Sequence, residues 1–437
     1  MAKYVHLFET VNEFNSARTP DNYVEPWLSY TKENSGLTFN KTEYEKLLET
    51  PLTFNIISAG TIVWKAQNTA YTTTIEYSMD SGSTWTSITS SKEGTSISVN
   101  PGDVIQFRGD NATYSSGSTR YNSFRASTAI FEAEGNIMSI IDSTGFSRAT
   151  ALQSAYTFVR LFSDCAGLMN VSNLILPAST LADYCYQYMF NDCASLTTAP
   201  VLSATTLASR CCFSMFSDCT SLTTAPELPA TTLASSCYSN MFFGCISLTT
   251  APSLPATTLA DSCYSNMFSG CTSLTTAPEL PATTLALKCY YNMFVGCTSL
   301  TAGPLSVGNS ATTLAPQCCY SMFQSCTSLT TAPELPAATL ADYCYQYMFS
   351  GCTSLTTAPE LPATTLAKYC YQYMFQGCTS LNYIKCLATD ISAGNCTYQW
   401  VAGVAATGTF VKNPNITEQT WGRGTSGIPA NWTVQDA

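Results

Sequence analysis

Leu233-Ala-Ser-Ser-Cys237-Tyr-Ser-Asn-Met241-Phe-Phe-Gly-Cys245-Ile-Ser-Leu248-Thr-Thr-Ala-Pro252-Ser-Leu-Pro-Ala-Thr-Thr258 is followed at once by a near-copy of itself that begins at Leu259. The unit is 26 residues long, and its Met-Phe pair marks the register at residues 189–190, 215–216, 241–242, 267–268, 293–294, 322–323, 348–349 and 374–375. Degenerate copies flank the series at Leu161-Phe162 and Trp400-Val401. A fixed period in this range marks a solenoid, in which each unit packs only on its neighbours. Scaffolds of this kind serve as binding or spacing devices far more often than as catalysts.

Within one unit, the Thr-Thr before Leu233 offers an N-cap. Leu233, Cys237 and Met241 then stand at i, i+4 and i+8, with Tyr238 and Phe242 beside them, which predicts an amphipathic helix. Gly244 is placed to stop that helix. Ser247 to Ala251 reads as a short strand, and Pro252 to Pro255 turns the corner. The expected fold is therefore an α/β solenoid of helix plus short strand per coil, over residues 141–385. Two inserts break the period, Asn170-Val-Ser172 and Gly303 to Ser310, and the second should bulge from one face.

The flanks differ in kind. Residues 1–50 are the most charged and least repetitive part, with helical patterns at 10–17 and 42–48. Phe8, Phe14, Tyr23, Trp27 and Tyr30 are more aromatic surface than so short a segment buries alone, so they either pack on the next domain or form a docking arm for a partner. Residues 51–140 read as a small β-sandwich of about seven short strands, with a hairpin turn at Asp80-Ser-Gly82. Residues 386–437 lose the repeat and gain Trp400, Phe410, Trp421 and Trp432, which fits a cap over the apolar end of the solenoid.

Charged residues make up only 11% of the 437, against an average of roughly 25%. The surface is thus polar but mostly uncharged, and a net charge of −11 argues against nucleic acid and anionic membranes as partners. No stretch approaches the ~18 apolar residues of a membrane span, and residues 1–14 do not read as a secretory signal. Of 21 cysteines, twenty belong to the repeat: one set precedes the Met by four residues, a second follows it by four, and Cys212 and Cys319 replace a repeat Tyr. Stacked coils at ~4.7 Å sit near the lower limit for a disulfide, so cross-linked and free thiols both fit the spacing. Without an export signal, free and buried thiols are expected. There is no Cys-x-x-Cys pair, and no metal or other cofactor is expected.

One His, His6, lies in the N-terminal arm, which leaves no Ser-His-Asp or Cys-His site in a folded domain. Glu227, Glu279, Glu334 and Glu360 recur once per repeat and read as solvated corner residues. An enzyme is not expected. The most variable repeat positions are one and five before the Met; three coils carry Tyr at both, namely Tyr184/Tyr188, Tyr343/Tyr347 and Tyr369/Tyr373. Other coils carry Ser and Asn there, giving an uncharged face suited to a glycan or protein partner, or simply a solvated face that drifts.

The Met-Phe-x-Gly-Cys-Thr-Ser-Leu unit resembles the BspA-like leucine-rich repeats of bacterial surface proteins, over roughly 161–401. Tyr4 to Val11 and Tyr23 to Tyr30, with Gly102 to Asp110 and Asn431 to Asp436, resemble virion proteins of crAss-like bacteriophages. The second resemblance implies a capsid-attached head fibre or decoration protein, a homo-oligomer assembled in the host cytoplasm. Residues 1–50 would dock on capsid or other virion proteins, and the solenoid would project outward to adhere to glycans or a bacterial surface. A virion protein needs no export signal, whereas an adhesin does. Tail-fibre receptor binding and a bacterial surface adhesin are the alternative readings.

Overall fold

A computed structural model describes residues 29–30, 37–38, 41–117, 119–125, 127–308 and 313–437. Strands β1 (Ser29–Tyr30) and β2 (Leu37–Thr38) form an antiparallel pair. Helix α1 spans Lys41–Glu49, close to the expected 42–48. Its Tyr44 and Leu47 are buried against Ile175, so α1 packs on the body that follows it. Asn136 ties down the exit from this helix, donating from Nδ2 to the Leu48 carbonyl at 3.0 Å.

The sandwich forms where alternation was read. Strands β3 (Leu52–Ile56), β5 (Thr74–Ser78), β6 (Thr86–Thr89), β8 (Val104–Arg108) and β10 (Phe131–Asn136) make one antiparallel array in the order β6-β5-β8-β3-β10. Strands β4 (Gly60–Ala66), β7 (Thr95–Val99) and β9 (Asn122–Ser123) make the other, in the order β7-β4-β9. Alternate residues point inward, and Phe54, Phe107, Trp64 and Phe124 are fully buried between the sheets. The β5–β6 hairpin turns on Ser81 and Gly82, both left-handed (φ 56° and 84°), as a primed turn requires. Hydrogen bonds from the Thr84 side chain, the Thr84 amide and the Ser78 hydroxyl hold the Asp80 carboxyl down to about 2.

β10 joins the two architectures. One edge pairs antiparallel with β3, and the other pairs in parallel with β11 (Leu168–Asn170) and β12 (Leu174–Leu176), the first rungs of the solenoid. The aromatic core is equally continuous: Phe54 lies 4.9 Å from Phe124, Phe124 lies 5.7 Å from Phe162, and Phe162 stacks at 5.4 Å on Phe190.

The chain then winds through ten coils, numbered here from Leu161-Phe162 to Trp400-Val401. Stacked coils were expected and are present; a helix in each coil is not. The only α-helices among the described residues are α1 and α2 (Glu418–Trp421), both outside the coils. In place of the expected helix each coil carries a run of four-residue turns. In the second coil Gln187, Met189, Asn191 and Cys193 donate to the carbonyls three residues back, at 3.1–3.2 Å. The amides between them, on Tyr186, Tyr188, Phe190 and Asp192, donate instead to the next coil at Cys211, Phe213, Met215 and Ser217. The device behind this alternation is a left-handed residue at every fourth position: Tyr184, Tyr188 and Asp192 have φ of 60°, 56° and 59°. Each one unwinds the right-handed turn before it, so the segment runs as a flat ribbon rather than a helix. Gly244, φ 70°, is not a helix stop but the third left-handed position of its coil. The expected strand Ser247 to Ala251 shrinks to a single parallel bridge, Thr224 to Thr250.

The ribbon has a period of four, with two residues in and two out. Cys237-Tyr238 and Met241-Phe242 point in and are buried, as is Cys245, and the same slots are buried in the neighbouring coils. From Phe162 to Phe375 each phenylalanine stacks nearly parallel on the next at 5.3–5.7 Å. A tyrosine column runs beside it, as in Tyr238–Tyr264–Tyr290 at 6.2 and 6.1 Å. Cys212 interrupts this column between Tyr186 and Tyr238, leaving a small cavity beside the unpartnered Tyr186 hydroxyl. The 303–310 insert turns Leu305 outward, 73% exposed, and tucks Val307 into the core.

Parallel strands β13 (Tyr383–Cys386), β14 (Thr409–Lys412) and β15 (Thr433–Asp436) close the far end. Trp421 stacks on Trp400 at 5.6 Å, and Phe410 meets Trp421 edge-on at 5.2 Å. Trp432 donates to the Ala405 carbonyl at 2.8 Å.

The left-handed positions make a direct test. An added Cβ at Gly296 (φ 72°) meets nothing within 4 Å, so backbone conformation is the only obstacle. Gly296→Ala should lower stability in urea unfolding by about 1 kcal/mol, and Gly296→Asn by less, because Asn tolerates this region better.

Candidate ligand-binding face

The two outward residues of each turn define the faces that a ligand can reach. The positions one and five before the Met are both left-handed positions of the ribbon, and the half-buried Tyr184, Tyr188, Tyr343, Tyr347, Tyr369 and Tyr373 occupy them. They fall into two separate patches. Tyr184 and Tyr188 lie near the sandwich, where Tyr184 stacks on Tyr156 at 4.6 Å and the Arg160 guanidinium sits 4.0 Å from the Tyr188 ring centre. The other four lie toward the cap, where Tyr343 stacks on Tyr369 at 4.7 Å and Tyr347 on Tyr373 at 4.6 Å. Coils four and five carry only Ser239, Asn240, Ser265 and Asn266 in the outward pair, which separates the patches.

The cap-side patch is larger than the sequence reading allowed. Tyr291, Tyr320 and Tyr398 stand two before the repeat Met or Trp, a position outside the pair of positions, one and five before the Met, that the sequence singles out. In the ribbon this position is buried where it holds Ser239, Ser265 or Gln346, but Tyr291 and Tyr320 reach out from it and are half-buried, and Tyr398 is exposed. Tyr291 stacks on Tyr320 at 4.8 Å, Tyr320 meets Tyr347 at 5.7 Å, and Tyr373 meets Tyr398 at 5.5 Å. One tyrosine per coil therefore forms an unbroken track across coils six to ten.

Of the expected docking residues, Phe8, Phe14, Tyr23 and Trp27 lie outside the described residues, as does His6. Tyr30 stands in β1.

The thiols are settled. All 21 cysteines are free and buried. The set that follows the Met has a polar role as well as a packing one: Cys219, Cys245, Cys271 and Cys297 each donate their S–H to the phenylalanine carbonyl of the previous coil, at 3.0–3.1 Å. Burial pushes the Cys165, Cys263, Cys297 and Cys378 thiols up to about 12, far from the thiolate form that attacks or ligates. Among the described residues no three His, Cys, Asp or Glu are grouped to hold a metal, and no helix is long and apolar enough to cross a membrane. The corner carboxylates bond along the stack, Glu227 to the Ser253 hydroxyl at 3.2 Å and Glu360 to Lys385 at 3.0 Å.

Residues 159–275, 183–329 and 288–399 match the BspA type leucine rich repeat region, in six copies, and together cover more than half of the chain. The chain belongs to the BspA-type leucine-rich repeat family. No curated protein and no solved structure matches it. In this BspA-type solenoid the repeat builds the ribbon and its core, and the individuality of each coil is confined to its outward pairs.

One outward column is acidic. Asp164, Asp192 and Asp218 occupy the third left-handed position of the first three coils. Partial burial and the flanking Asp164 and Asp218 carboxylates raise the Asp192 carboxyl above its ordinary range, against the pull of Arg160. A raised acid favours the folded state only while protonated, so this contribution is lost as pH rises through the folded-state value. Asp192→Asn should therefore raise the stability at neutral pH by roughly a few tenths of a kcal/mol after solvent screening, which a thermal melt reads as a higher midpoint. The gain should vanish below the ordinary carboxylate range. Ellman's reagent offers a second check: the native thiols should not react, and all 21 should react after unfolding.

Proposed function

We propose that this chain is a non-catalytic virion structural protein that attaches through its N-terminal residues and projects the solenoid as a rod of about 45 Å. The observation that carries this reading is the state of the cysteines. All 21 are free, and the column after the Met uses its S–H groups as donors to the neighbouring coil. Disulfides form and persist in oxidising compartments, and a chain with so many closely stacked thiols folds without mispairing where thiols stay reduced. Assembly in the cytoplasm of a host cell meets that condition; export as an adhesin does not. The resemblance of residues 4–11 and 23–30 to crAss-like phage virion proteins supplies the address, a capsid-attached head fibre or decoration protein.

The continuity of backbone pairing and aromatic core from β3 through the last coil supports a stiff projection rather than a hinged one. A tail-fibre receptor-binding protein is the second reading, favoured by the tyrosine track on the outward pairs. Homo-oligomerisation through the sandwich belongs to either.

The attachment test is to delete residues 1–40, which leaves α1 and its contacts with Ile175 in place. The full chain should co-sediment with purified phage particles, and the truncated chain should remain folded but stay in the supernatant. Equal co-sedimentation of the two would remove the docking arm from the account.

A further inference from the structure

We propose that the tyrosine track of coils six to ten binds a linear, uncharged polysaccharide, with Tyr398 as the platform on which a sugar ring stacks. This deepens the reading of a projecting rod and rests on it.

Continuity of the track is the first support. Each of the five coils carries one tyrosine in its outward pair, yet the ring changes column: two before the repeat Met or Trp in Tyr291, Tyr320 and Tyr398, one before it in Tyr347 and Tyr373. Through both changes the rings stay in contact, at 4.8, 5.7, 4.6 and 5.5 Å. A solvated face that merely drifted would have no reason to keep a ring in every coil while changing its column. The ring is maintained, not the column.

The second support is charge. The tyrosines share their pairs with Asn292, Gln372 and Gln399, which are part-exposed, and with Ser321 and Gln346, which are buried; the pairs that follow in these coils are uncharged as well. The charges lie to one side of the track: Lys288 and Lys368 lean on Tyr291 and Tyr369 at 5.6 and 5.1 Å, and the exposed Asp342 accepts from the Lys368 amide. A chain of net charge −11 thus presents a face of hydroxyls and amides. That suits a ligand held by hydrogen bonds and ring contacts rather than by ion pairing.

Ring geometry then divides the work. Tyr291–Tyr320 and Tyr347–Tyr373 are parallel to within 9° and 12°, so each pair covers its own faces and offers edges and hydroxyls outward. Tyr398 differs. It meets Tyr373 at 89° and is 41% exposed. Because Tyr373 is parallel to Tyr347, its face points along the stack, so Tyr398 contributes the edge and keeps its own faces clear of the track. Gln399 Nε2 donates to the Tyr398 hydroxyl at 3.2 Å and fixes the ring. One platform at the end of a track that carries one ring per coil matches a polymer that runs along the same axis, which a folded protein surface does not.

The test is affinity electrophoresis in native gels cast with dextran, laminarin or yeast mannan, with alginate as an acidic control. At least one neutral polymer should retard the full chain. Tyr398→Ala should weaken that retardation about tenfold and Tyr398→Phe should preserve it, since the face carries the contact. Tyr347→Phe with Tyr373→Phe should weaken it through loss of the hydroxyls, and Tyr188→Ala, in the other patch, should leave it unchanged. Thermal melts establish that each variant is folded. Retardation by none of the neutral polymers, by alginate alone, or equally for the full chain and Tyr398→Ala overturns the proposal. Such a result alongside particle co-sedimentation of the full chain would leave the virion reading standing.

Discussion

The solenoid depends on a backbone constraint: one residue in four must adopt the left-handed conformation. That residue cancels the curl of the turn before it and sends alternate amides along the stack, where the next coil accepts them. The remaining amides close turns within the coil, so both sets of backbone donors are satisfied without a helix and almost without strands. Every L-residue placed there costs on the order of 1 kcal/mol relative to glycine. The third position of the coil is glycine in Gly244, Gly270, Gly296, Gly351, Gly377 and Gly403, whereas the first two never are. The stack must therefore return that energy through packing between coils.

It does so through columns. Two inward residues per turn place Met, Phe, Tyr and Cys in the same slot of successive coils, and identical side chains in register stack with little wasted volume. The cysteines after the Met add a polar contact that an alanine would not, because their S–H groups share the phenylalanine carbonyl with a turn amide. The same phenylalanine column ends on Phe124 and Phe54 of the sandwich, so the two architectures share one core rather than abut. At the opposite end, the Trp400–Trp421 stack covers the surface that an eleventh coil would have covered.

Much of this was legible. The 26-residue period, the Met-Phe register, the sandwich strands and the aromatic cap each rest on a pattern with one natural reading. The helix does not. Leu233, Cys237 and Met241 at spacing four satisfy an amphipathic helix and a ribbon of four-residue turns equally, since both turn the same residues inward. The signal that separates them lay in the other half of the unit: Ser236, Asn240 and Gly244, then Ser262, Asn266 and Gly270, are residues that tolerate left-handed backbone, spaced four apart. Read as a variable helix face with a glycine stop, they concealed the fold of the coil. The same error hid Tyr291, Tyr320 and Tyr398. Helical geometry sets adjacent residues about 100° apart, whereas in the ribbon a ring at either member of the pair meets the ring of the next coil.

The backbone constraint also bears on the tyrosines themselves. Tyr343, Tyr347, Tyr369 and Tyr373 stand at left-handed positions, φ 57–59°, where Ser or Asn suffices in other coils. A bulky residue there is unfavourable by on the order of 1 kcal/mol, and a stacked ring pair returns about 0.5–1.5 kcal/mol. The two terms nearly cancel, so these rings add little to the fold. Strained residues whose removal would cost the fold little tend to be kept for what they present to the outside. That separates the outward tyrosines from the inward ones: Tyr264 and Tyr290 are buried in the core and hold coils together, whereas Tyr347 and Tyr373 hold a surface in shape.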